Sequence, residues 1–228
     1  MRISHKHKFI FYAIPKTGSS SIRQYFFKEL EEEDDPKSFL ADPDSTFSSD
    51  DWEAWNFHHT KFNNVRKHFE TVGYNYDDYI KFAFVRNPWG RELSAFHEKK
   101  RNLEMGMQYA KTLEKEMGGL DSFEKYIKSD RYREPLDDRD QLDWIDHGND
   151  PKFFVFKFEN LQKDFDSMIQ LINAHSDAPD LSKSKLDHRQ IGEYKHIPYK
   201  EYYDEEMKEI VSKTCAKDIE MFNYEFEE

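Results

Sequence analysis

Three short apolar runs in this chain are each followed by a turn signal and then by a segment with helical spacing of apolar residues. The runs lie at residues 8–14, 80–86 and 152–158. A continuous apolar run of this length is typical of a strand that is buried on both faces. Because such runs alternate with helical patterns, the sequence predicts an α/β fold with a central, mainly parallel sheet.

Helical spacing continues along most of the remaining chain. The predicted helices cover residues 20–30, 58–70, 88 to about 103, about 160–175 and about 203–221. Pro88 suits the first turn of its helix, because no N–H donor is needed at that position. Residues 31–56 are acidic and carry two prolines, which indicates a surface excursion. Residues 104–150 are polar and mostly helical, but the pattern does not fix the boundaries of their helices.

Length and charge narrow the class of protein. A chain of 228 residues is expected to form a single domain, residues 1–228, with 31–56 and 104–150 as surface insertions. Its formal net charge of −12 argues against a general binder of nucleic acid or membranes. An anionic ligand would therefore need a local positive site. The apolar run at 8–14 is too short to span a bilayer and makes a poor signal peptide.

Cysteine usage agrees with a soluble protein of a reducing compartment. Cys215 is the only cysteine, so no disulfide can form within the chain. It lies in a helical pattern, where a packed core thiol is the favoured interpretation. No Cys or His cluster has the spacing of a structural zinc site. Together these features predict a cytoplasmic location.

The first candidate site follows the first apolar run. Residues 15–21 read Pro-Lys-Thr-Gly-Ser-Ser-Ser and lead directly into a predicted helix. A helix N-terminus offers unpaired N–H groups and the positive end of the helix dipole, which favour an anion. Lys16 adds a positive charge close to Gly18. The hydroxyl donors of this segment are Thr17, Ser19, Ser20 and Ser21. The pattern predicts a phosphate near Gly18, although an ordinary turn with Ser20 as a helix cap would also explain it.

Two common nucleotide motifs are missing from this loop. An ATPase or GTPase loop needs Gly-Lys followed by Ser or Thr, whereas Lys16 precedes the only glycine here. The sequence has no Gly-x-Gly-x-x-Gly after a strand, so a dinucleotide fold is unsupported. A small-molecule kinase remains a rival interpretation, although the loop that it would need is missing.

A second motif begins where the second apolar run ends. Residues 84–96 read Phe-Val-Arg-Asn-Pro-Trp-Gly-Arg-Glu-Leu-Ser-Ala-Phe. Ligands of open α/β sheets bind beyond the carboxyl ends of the strands, so Arg86 should open onto the same edge as the first loop. An arginine fork with the hydroxyl of Ser94 suits a second phosphate. The two motifs together suggest a nucleotide that is phosphorylated at its 5' and 3' positions. The competing interpretations are a structural ion pair for Arg86 and a solvated helix position for Ser94.

At these residues the chain resembles the sulfotransferases that use 3'-phosphoadenosine-5'-phosphosulfate. Residues 15–21 resemble the 5'-phosphosulfate loop of that family, and Arg86 through Ser94 resembles its 3'-phosphate motif. The closest branch contains carbohydrate sulfotransferases of the heparan 2-O and chondroitin type with their bacterial relatives. Segments 59–66, 158–161 and 217–220 fit the same family. Residues 31–56 and 104–150 do not align, and the loop at 176–200 is longer, with Ser184, Lys185 and Lys195 as further candidates there.

The resemblance implies a fold, a reaction and residue roles. The fold would be a P-loop-like three-layer sandwich with a central mainly parallel sheet flanked by helices. Lys16 would stabilise charge on the transferring sulfuryl group, and residues 18–21 would hold the 5'-phosphate. The position of His59 matches that of the family's general base, although a capping or structural histidine is the alternative interpretation. The product would be adenosine 3',5'-bisphosphate, and the reaction would need no metal.

The branch points to a hydroxyl of a carbohydrate as the acceptor. The negative net charge predicts no nucleic-acid or membrane partner. Residues 31–56 and 104–150 would then be acceptor-side insertions. A protein tyrosine or a small alcohol remains open as an acceptor, and the oligomeric state is not readable from the sequence. Two basic groups, 99–101 and Lys61 with Arg66 and Lys67, could line a rim or be solvated helix faces. A non-catalytic module that binds sugar or nucleotide on the same fold is the alternative function.

Overall fold

The fold was analysed in a computed structural model of the chain. The structure describes residues 1–30, 65–66, 69–70, 73–134, 139–145, 150–186 and 198–226. Its strands are β1 (Arg2–Ser4), β2 (Phe9–Tyr12), β3 (Ile80–Val85) and β4 (Phe153–Lys157). Its helices are α1 (Ser19–Glu29), α2 (Pro88–Glu104), α3 (Gln108–Glu116), α4 (Phe123–Lys128), α5 (Asp130–Arg133), α6 (Leu161–His175), α7 (Glu205–Thr214) and α8 (Ala216–Phe222). Short 3-10 turns occupy Tyr76–Asp78, Gln141–Trp144, Phe158–Asn160 and Tyr199–Tyr202.

The described strands form one mostly parallel sheet in the order β1-β2-β3-β4. Strands β2 and β3 are parallel, with Phe11 opposite Phe82, and β3 and β4 are parallel as well. Strand β1 runs antiparallel to β2 at the edge of the sheet. The predicted α/β class with a central mainly parallel sheet and flanking helices is therefore confirmed. Because β2 and β3 are parallel neighbours, the segments that follow them leave the same edge of the sheet.

One face of the sheet is covered by α1 and α6. The phenylalanines of β2 and β3 that point to this face are fully buried, and Phe26 of α1 and Phe165 of α6 pack in the same cluster. Phe26 lies 4.7 Å from Phe9 between ring centroids. The alternation of side chains along a strand explains why Phe9 and Phe11 share this face. This packing holds the start of α1 close to the end of β2.

A buried cation lies within strand β3. Lys81 is fully buried, and its Nζ lies 2.8 Å from Asp150 Oδ2 and 4.2 Å from the centre of the Tyr76 ring. A lysine in this environment needs such a partner, since an isolated buried charge is costly. Tyr76 in turn shares a hydrogen bond with Tyr12, their hydroxyl oxygens being 2.9 Å apart. These contacts tie the segment before β3 to the sheet.

The described part of the chain forms two compact units. The sheet unit comprises the described residues within 1–85 and 141–190, and the helical unit comprises those within 86–140 and 191–228. The sheet unit holds all four described strands with α1 and α6, and the helical unit holds α2, α3, α4, α5, α7 and α8. The passage from β3 to α2 joins the two units through the peptide bond between Val85 and Arg86. The predicted single domain stays a prediction.

The observed elements differ from the predicted ones in two places. Strand β1 was not predicted, because three residues are too few to show a period. The predicted helix at about 203–221 is divided into α7 and α8 at Cys215, whose φ of −116° and ψ of 27° leave the helical region. The Thr214 hydroxyl donates back to the Ile210 carbonyl at 2.9 Å, a contact that bends helices. Cys215 is fully buried, and burial raises the pKa of its thiol, in keeping with the predicted core position.

Candidate functional site

The segment between β2 and α1 is a tight loop with two left-handed residues. Lys16 has a φ of 67° and Gly18 has a φ of 81°. Thr17 between them is fully buried, and its hydroxyl donates to the Ile14 carbonyl at 3.0 Å. A lysine rarely adopts a positive φ, and such strain is typical of functional loops. The half-buried Lys16 is thus held beside the start of α1 by the fold of the loop.

Gly18 is required by packing as well as by its backbone conformation. A Cβ at this position would lie 3.0 Å from Phe158 Cδ2 and 3.1 Å from Leu161 Cδ2. These two residues begin the 3-10 turn and the helix that follow β4. They belong to segment 158–161, which resembles the family but had no predicted role. The structure gives that segment a role, because it packs directly against the glycine of the loop.

The amino-terminal end of α1 is open to an anion. Gly18 is the N-cap, no side chain accepts a hydrogen bond there, and the first turn has no acidic residue. Among the described residues, no group accepts a hydrogen bond from the N–H of Gly18, Ser19 or Ser20. By contrast, Asp204 caps α7 by accepting from the Met207 N–H at 2.7 Å. The interpretation of Ser20 as an ordinary helix cap is therefore wrong, and the open donors suit a phosphate.

The hydroxyl groups of this first turn differ in exposure. Ser20 is exposed, whereas Ser19 and Ser21 are buried. The Thr17 hydroxyl hydrogen is engaged within the loop, so Thr17 shapes the loop in the structure. Six of the predicted site residues lie together at the start of α1, namely Lys16, Thr17, Gly18, Ser19, Ser20 and Ser21.

The second motif forms the beginning of α2. Pro88 is the first residue of the helix, as predicted, and the Asn87 side chain accepts a hydrogen bond from the Trp89 N–H at 3.1 Å. The Arg91 N–H bonds to the Asn87 carbonyl at 2.8 Å. Within the described part of the chain, the Gly90 N–H has no acceptor. One backbone donor of this first turn therefore remains available.

The guanidinium group of Arg86 lies against this same turn. A Cβ at Gly90 would lie 3.6 Å from Arg86 Nε and 3.8 Å from Arg86 Nη2. Ser94 comes four residues after Gly90, so both are on one face of α2. Ser94 is half-buried. The structure thus brings the two predicted residues of this motif, Arg86 and Ser94, to the same face.

Contacts behind this face hold α2 in place. The Trp89 Nε1 donates to the Lys208 carbonyl at 3.3 Å, and the Tyr203 hydroxyl donates to the Trp89 carbonyl at 2.8 Å. The Tyr126 hydroxyl donates to Glu92 Oε2 at 3.1 Å. Burial, followed by the nearby Glu92 carboxylate, raises the pKa of Tyr126 and of Tyr203. Both phenols therefore stay protonated and keep their donor roles over the physiological range.

Other predicted candidates lie outside the described residues or on the surface. His59 lies outside the described residues, as do Lys61, Lys67 and Lys195. Ser184 and Lys185 are exposed, and the Ser184 carbonyl accepts from Gln162 Nε2 at 3.3 Å. Of the basic group at 99–101, Lys99 places its Nζ 5.3 Å from the centre of the Tyr126 ring.

Sequence reasoning assigned no role to Gly90, Tyr199 or Phe226, which surround Arg86 and Trp89 in the helical unit. A Cβ at Gly90 would lie 3.4 Å from Tyr199 Cδ1. A glycine in the first turn of a helix was a readable signal, because it lowers helix stability unless space is needed. The aromatic residues gave no such signal, since they contact α2 from positions more than a hundred residues away in sequence.

Two further observations concern metals and membranes. Within the described ranges, no three side chains of His, Cys, Asp or Glu come together in a way that could hold a metal ion. None of the described helices combines the length and the apolar character needed to cross a bilayer.

Comparison with known proteins identifies the family of the chain. No curated protein and no solved structure matches the chain. The model of the sulfotransferase family matches residues 1–225, which include the first loop, the start of α2 and almost everything else described above. Since this match extends over nearly the whole sequence, the chain belongs to the sulfotransferase family.

Proposed function

We propose that this protein transfers a sulfuryl group from 3'-phosphoadenosine-5'-phosphosulfate to a hydroxyl group of a carbohydrate. The observation that carries the proposal is the open start of α1. There, the N–H groups of Gly18, Ser19 and Ser20 have no acceptor within the described residues, and Lys16 lies in the same loop. Unpaired backbone donors and a nearby cation fit the 5'-phosphosulfate end of the donor.

The other end of the donor is assigned to the start of α2. Arg86 would bind the 3'-phosphate by paired N–H donors, and Ser94 would add a hydroxyl donor. The open N–H of Gly90 lies on the same turn and supports this assignment. The loop directly follows β2 in the chain, and Arg86 directly follows β3, which is the parallel neighbour of β2.

The donor supplies an activated sulfuryl group and a phosphate leaving group. Sulfuryl transfer resembles phosphoryl transfer, in which positioning and charge stabilisation provide most of the catalysis. Lys16 would stabilise the negative charge that develops between the sulfuryl group and the leaving phosphate. The N–H groups of the first turn of α1 would hold the 5'-phosphate. His59, assigned by the family resemblance, would take the proton of the acceptor hydroxyl.

Calorimetry tests the donor assignment. The purified protein should bind adenosine 3',5'-bisphosphate more tightly than ATP, which has no 3'-phosphate. Arg86→Ala should weaken bisphosphate binding by about 1.5–3 kcal/mol, the value of a charge-assisted contact. Arg101→Ala is a matched control, because Arg101 lies in the last turn of the same helix and is exposed. Equal affinity for both nucleotides, or no binding of either, would contradict the proposal.

Turnover tests the reaction and the acceptor. The protein should add a sulfuryl group to a member of a panel of oligosaccharides when the donor is supplied, as detected by mass spectrometry. His59→Ala should abolish this transfer and keep bisphosphate binding. Binding of the donor without any transfer across carbohydrate, phenol and small-alcohol acceptors would instead identify a non-catalytic binding module.

A further inference from the structure

The segment at residues 224–226 is attached to the first turn of α2 by a side-chain hydrogen bond. Asn87 Nδ2 donates to the Glu225 carbonyl at 2.9 Å. Asn87 is buried, and its other side-chain atom, Oδ1, caps the Trp89 N–H. Asn87, which directly follows Arg86, therefore joins the start of α2 to segment 224–226.

Phe226 attaches the same segment through aromatic packing. Its ring lies edge-on to the rings of Trp89, Tyr199 and Tyr203, at centroid distances of 5.5, 5.5 and 5.6 Å. Lys208 Nζ lies 4.5 Å from the centre of the Phe226 ring. Edge-to-face pairs and a cation over the ring add to the stabilisation from burial alone. We refer to Trp89, Tyr199, Tyr203 and Phe226 as the aromatic group.

Tyr199 links the aromatic group to Arg86. The position of a Cβ at Gly90 is 3.4 Å from Tyr199 Cδ1 and 3.6 Å from Arg86 Nε, so the ring and the guanidinium group share the space above Gly90. Tyr199 lies in a short 3-10 turn, and its ring is edge-on to the rings of Phe226 and Tyr203. The contact between Tyr199 and Phe226 therefore supports the ring that lies beside the guanidinium group.

We propose that Phe226 is a positioning residue that fixes Tyr199, and through it Arg86, in the orientation that selects a 3'-phosphorylated nucleotide. This inference rests on the proposed function, because it takes Arg86 as the ligand of the 3'-phosphate. In this role Phe226 would act through Tyr199 and not through a contact with the nucleotide. Phe226 would restrict the orientations that the Arg86 guanidinium group can adopt. A restricted guanidinium group loses less conformational entropy when it binds a phosphate.

The test measures selectivity rather than affinity alone. The ratio of the dissociation constants for adenosine 5'-monophosphate and adenosine 3',5'-bisphosphate reports the contribution of the 3'-phosphate. Phe226→Ala should lower this ratio by about 5-fold, within the range seen when a supporting residue is removed. Its affinity for the monophosphate should stay at the value of the unmodified protein. Phe226→Tyr, which keeps the ring, should restore the ratio.

Controls separate this effect from general loss of structure. Phe222→Ala removes another half-buried ring of the same part of the chain, which contacts Tyr224 rather than the aromatic group, and should leave the ratio unchanged. Thermal unfolding identifies any variant that does not fold, and Phe226→Leu, which keeps most of the buried volume, then replaces Phe226→Ala. A leucine should still lower the ratio, because it lacks the edge-on ring contacts.

The outcomes distinguish failure of this inference from failure of the proposed function. If the unmodified protein does not prefer the bisphosphate, or if Arg86→Ala keeps that preference, the assignment of the 3'-phosphate is wrong. If Arg86→Ala loses the preference while Phe226→Ala and Phe226→Leu keep it, the positioning role is wrong and the site stands. A fall of the ratio in Phe222→Ala equal to that in Phe226→Ala would also overturn the role.

Discussion

Gly18 combines two requirements that no other residue type satisfies. Its φ of 81° disfavours any side chain, and the contact with Phe158 and Leu161 leaves no room for a Cβ. The first requirement belongs to the backbone alone, and the second belongs to the packing of the loop against the segment after β4. A substitution can separate them, because another glycine of the sheet unit has the first requirement without the second.

We predict that Gly18→Ala lowers the free energy of unfolding by about 2–3 kcal/mol, the sum of a strained φ and a crowded Cβ. Gly73→Ala is the matched control, since Gly73 has a φ of 78° and a Cβ there would meet nothing within 4 Å. It should lose only about 1 kcal/mol, the backbone part. Urea unfolding measures both values, and equal losses would show that the contact with Phe158 and Leu161 has no energetic effect.

Lys16 differs from other lysines because its charge is carried on a strained backbone. A second lysine has a positive φ in the structure, namely Lys8, whose φ is 52° in the turn between β1 and β2. Asparagine tolerates the left-handed region but has no charge. Substitution by asparagine at Lys16 or at Lys8 therefore removes the positive charge and keeps the left-handed backbone conformation.

We expect Lys16→Asn to reduce the rate of sulfuryl transfer by about 100- to 1,000-fold, as for removal of one group that stabilises transition-state charge. Its melting temperature should match that of the unmodified protein, because the backbone requirement is still met. Lys8→Asn should transfer at the unmodified rate. Steady-state kinetics under saturating donor gives the comparison, and equal rates for both variants would remove Lys16 from the catalytic role.

At the scale of elements, α1 is held to the segment near Leu181 by Tyr25. The buried Tyr25 hydroxyl donates to the Ser182 carbonyl. Burial, with a further contribution from the Glu29 carboxylate, raises the pKa of Tyr25 from 10.0 to about 12. A raised pKa means that the protonated phenol is stabilised in the folded state. Its contribution to stability is therefore complete below pH 10 and is lost as the pH rises towards 12.

We predict that Tyr25→Phe makes unfolding less sensitive to alkaline pH. The unmodified protein should lose on the order of 2 kcal/mol more than the variant as the pH rises from about 9 to about 12, because the phenol ionises from about pH 10 in the unfolded state but stays protonated in the folded state until about pH 12. Comparison with the variant is needed, since burial also raises the pKa of Tyr126, Tyr132 and Tyr203. Parallel pH profiles for the two proteins would show that the Tyr25 pKa is not raised.

The elements that could be predicted from the sequence are those whose pattern is local and long enough. Strands β2, β3 and β4 and helices α1, α2 and α6 lie within a few residues of their predicted ranges. Each has a continuous apolar run or several turns of helical spacing. Helices α4 and α5 could not be placed, because six and four residues show too little of a period. The break at Cys215 depends on a side-chain hydrogen bond of Thr214 that no periodicity reveals.

The parts of the candidate site that could be predicted are those in which all the residues of a motif lie within one short segment. Residues 15–21 and Arg86 with Ser94 could be read from spacing, and the structure places each set at one helix start. The N-cap of α1 could not be predicted, because Gly18 takes that position through its positive φ rather than through a side chain. The partners of the first turn of α2 could not be predicted either, because they come from segments that are distant in sequence. Glu225 contacts Asn87, and Phe226 contacts Trp89. Tyr199 lies beside Gly90.

At the scale of the whole molecule, net charge limits the acceptor. The formal charge of −12 repels a polyanion, whereas the proposed donor would be held by local cations and open N–H groups. Acidic side chains outnumber the cation near the start of α7. Lys128, at the end of α4, is paired with Glu124, Asp204 and Glu206. A densely sulfated chain would find the charge of Lys128 already compensated.

We therefore predict that the protein passes through a heparin column at physiological ionic strength without retention. Transfer to an unsulfated oligosaccharide should exceed transfer to the same oligosaccharide after heavy sulfation, and the difference should shrink as added salt screens the repulsion. Initial rates with this matched pair, measured at two salt concentrations, provide the test. A faster reaction with the sulfated member, weakened by salt, would show instead that a local basic rim attracts the acceptor and outweighs the charge of the molecule.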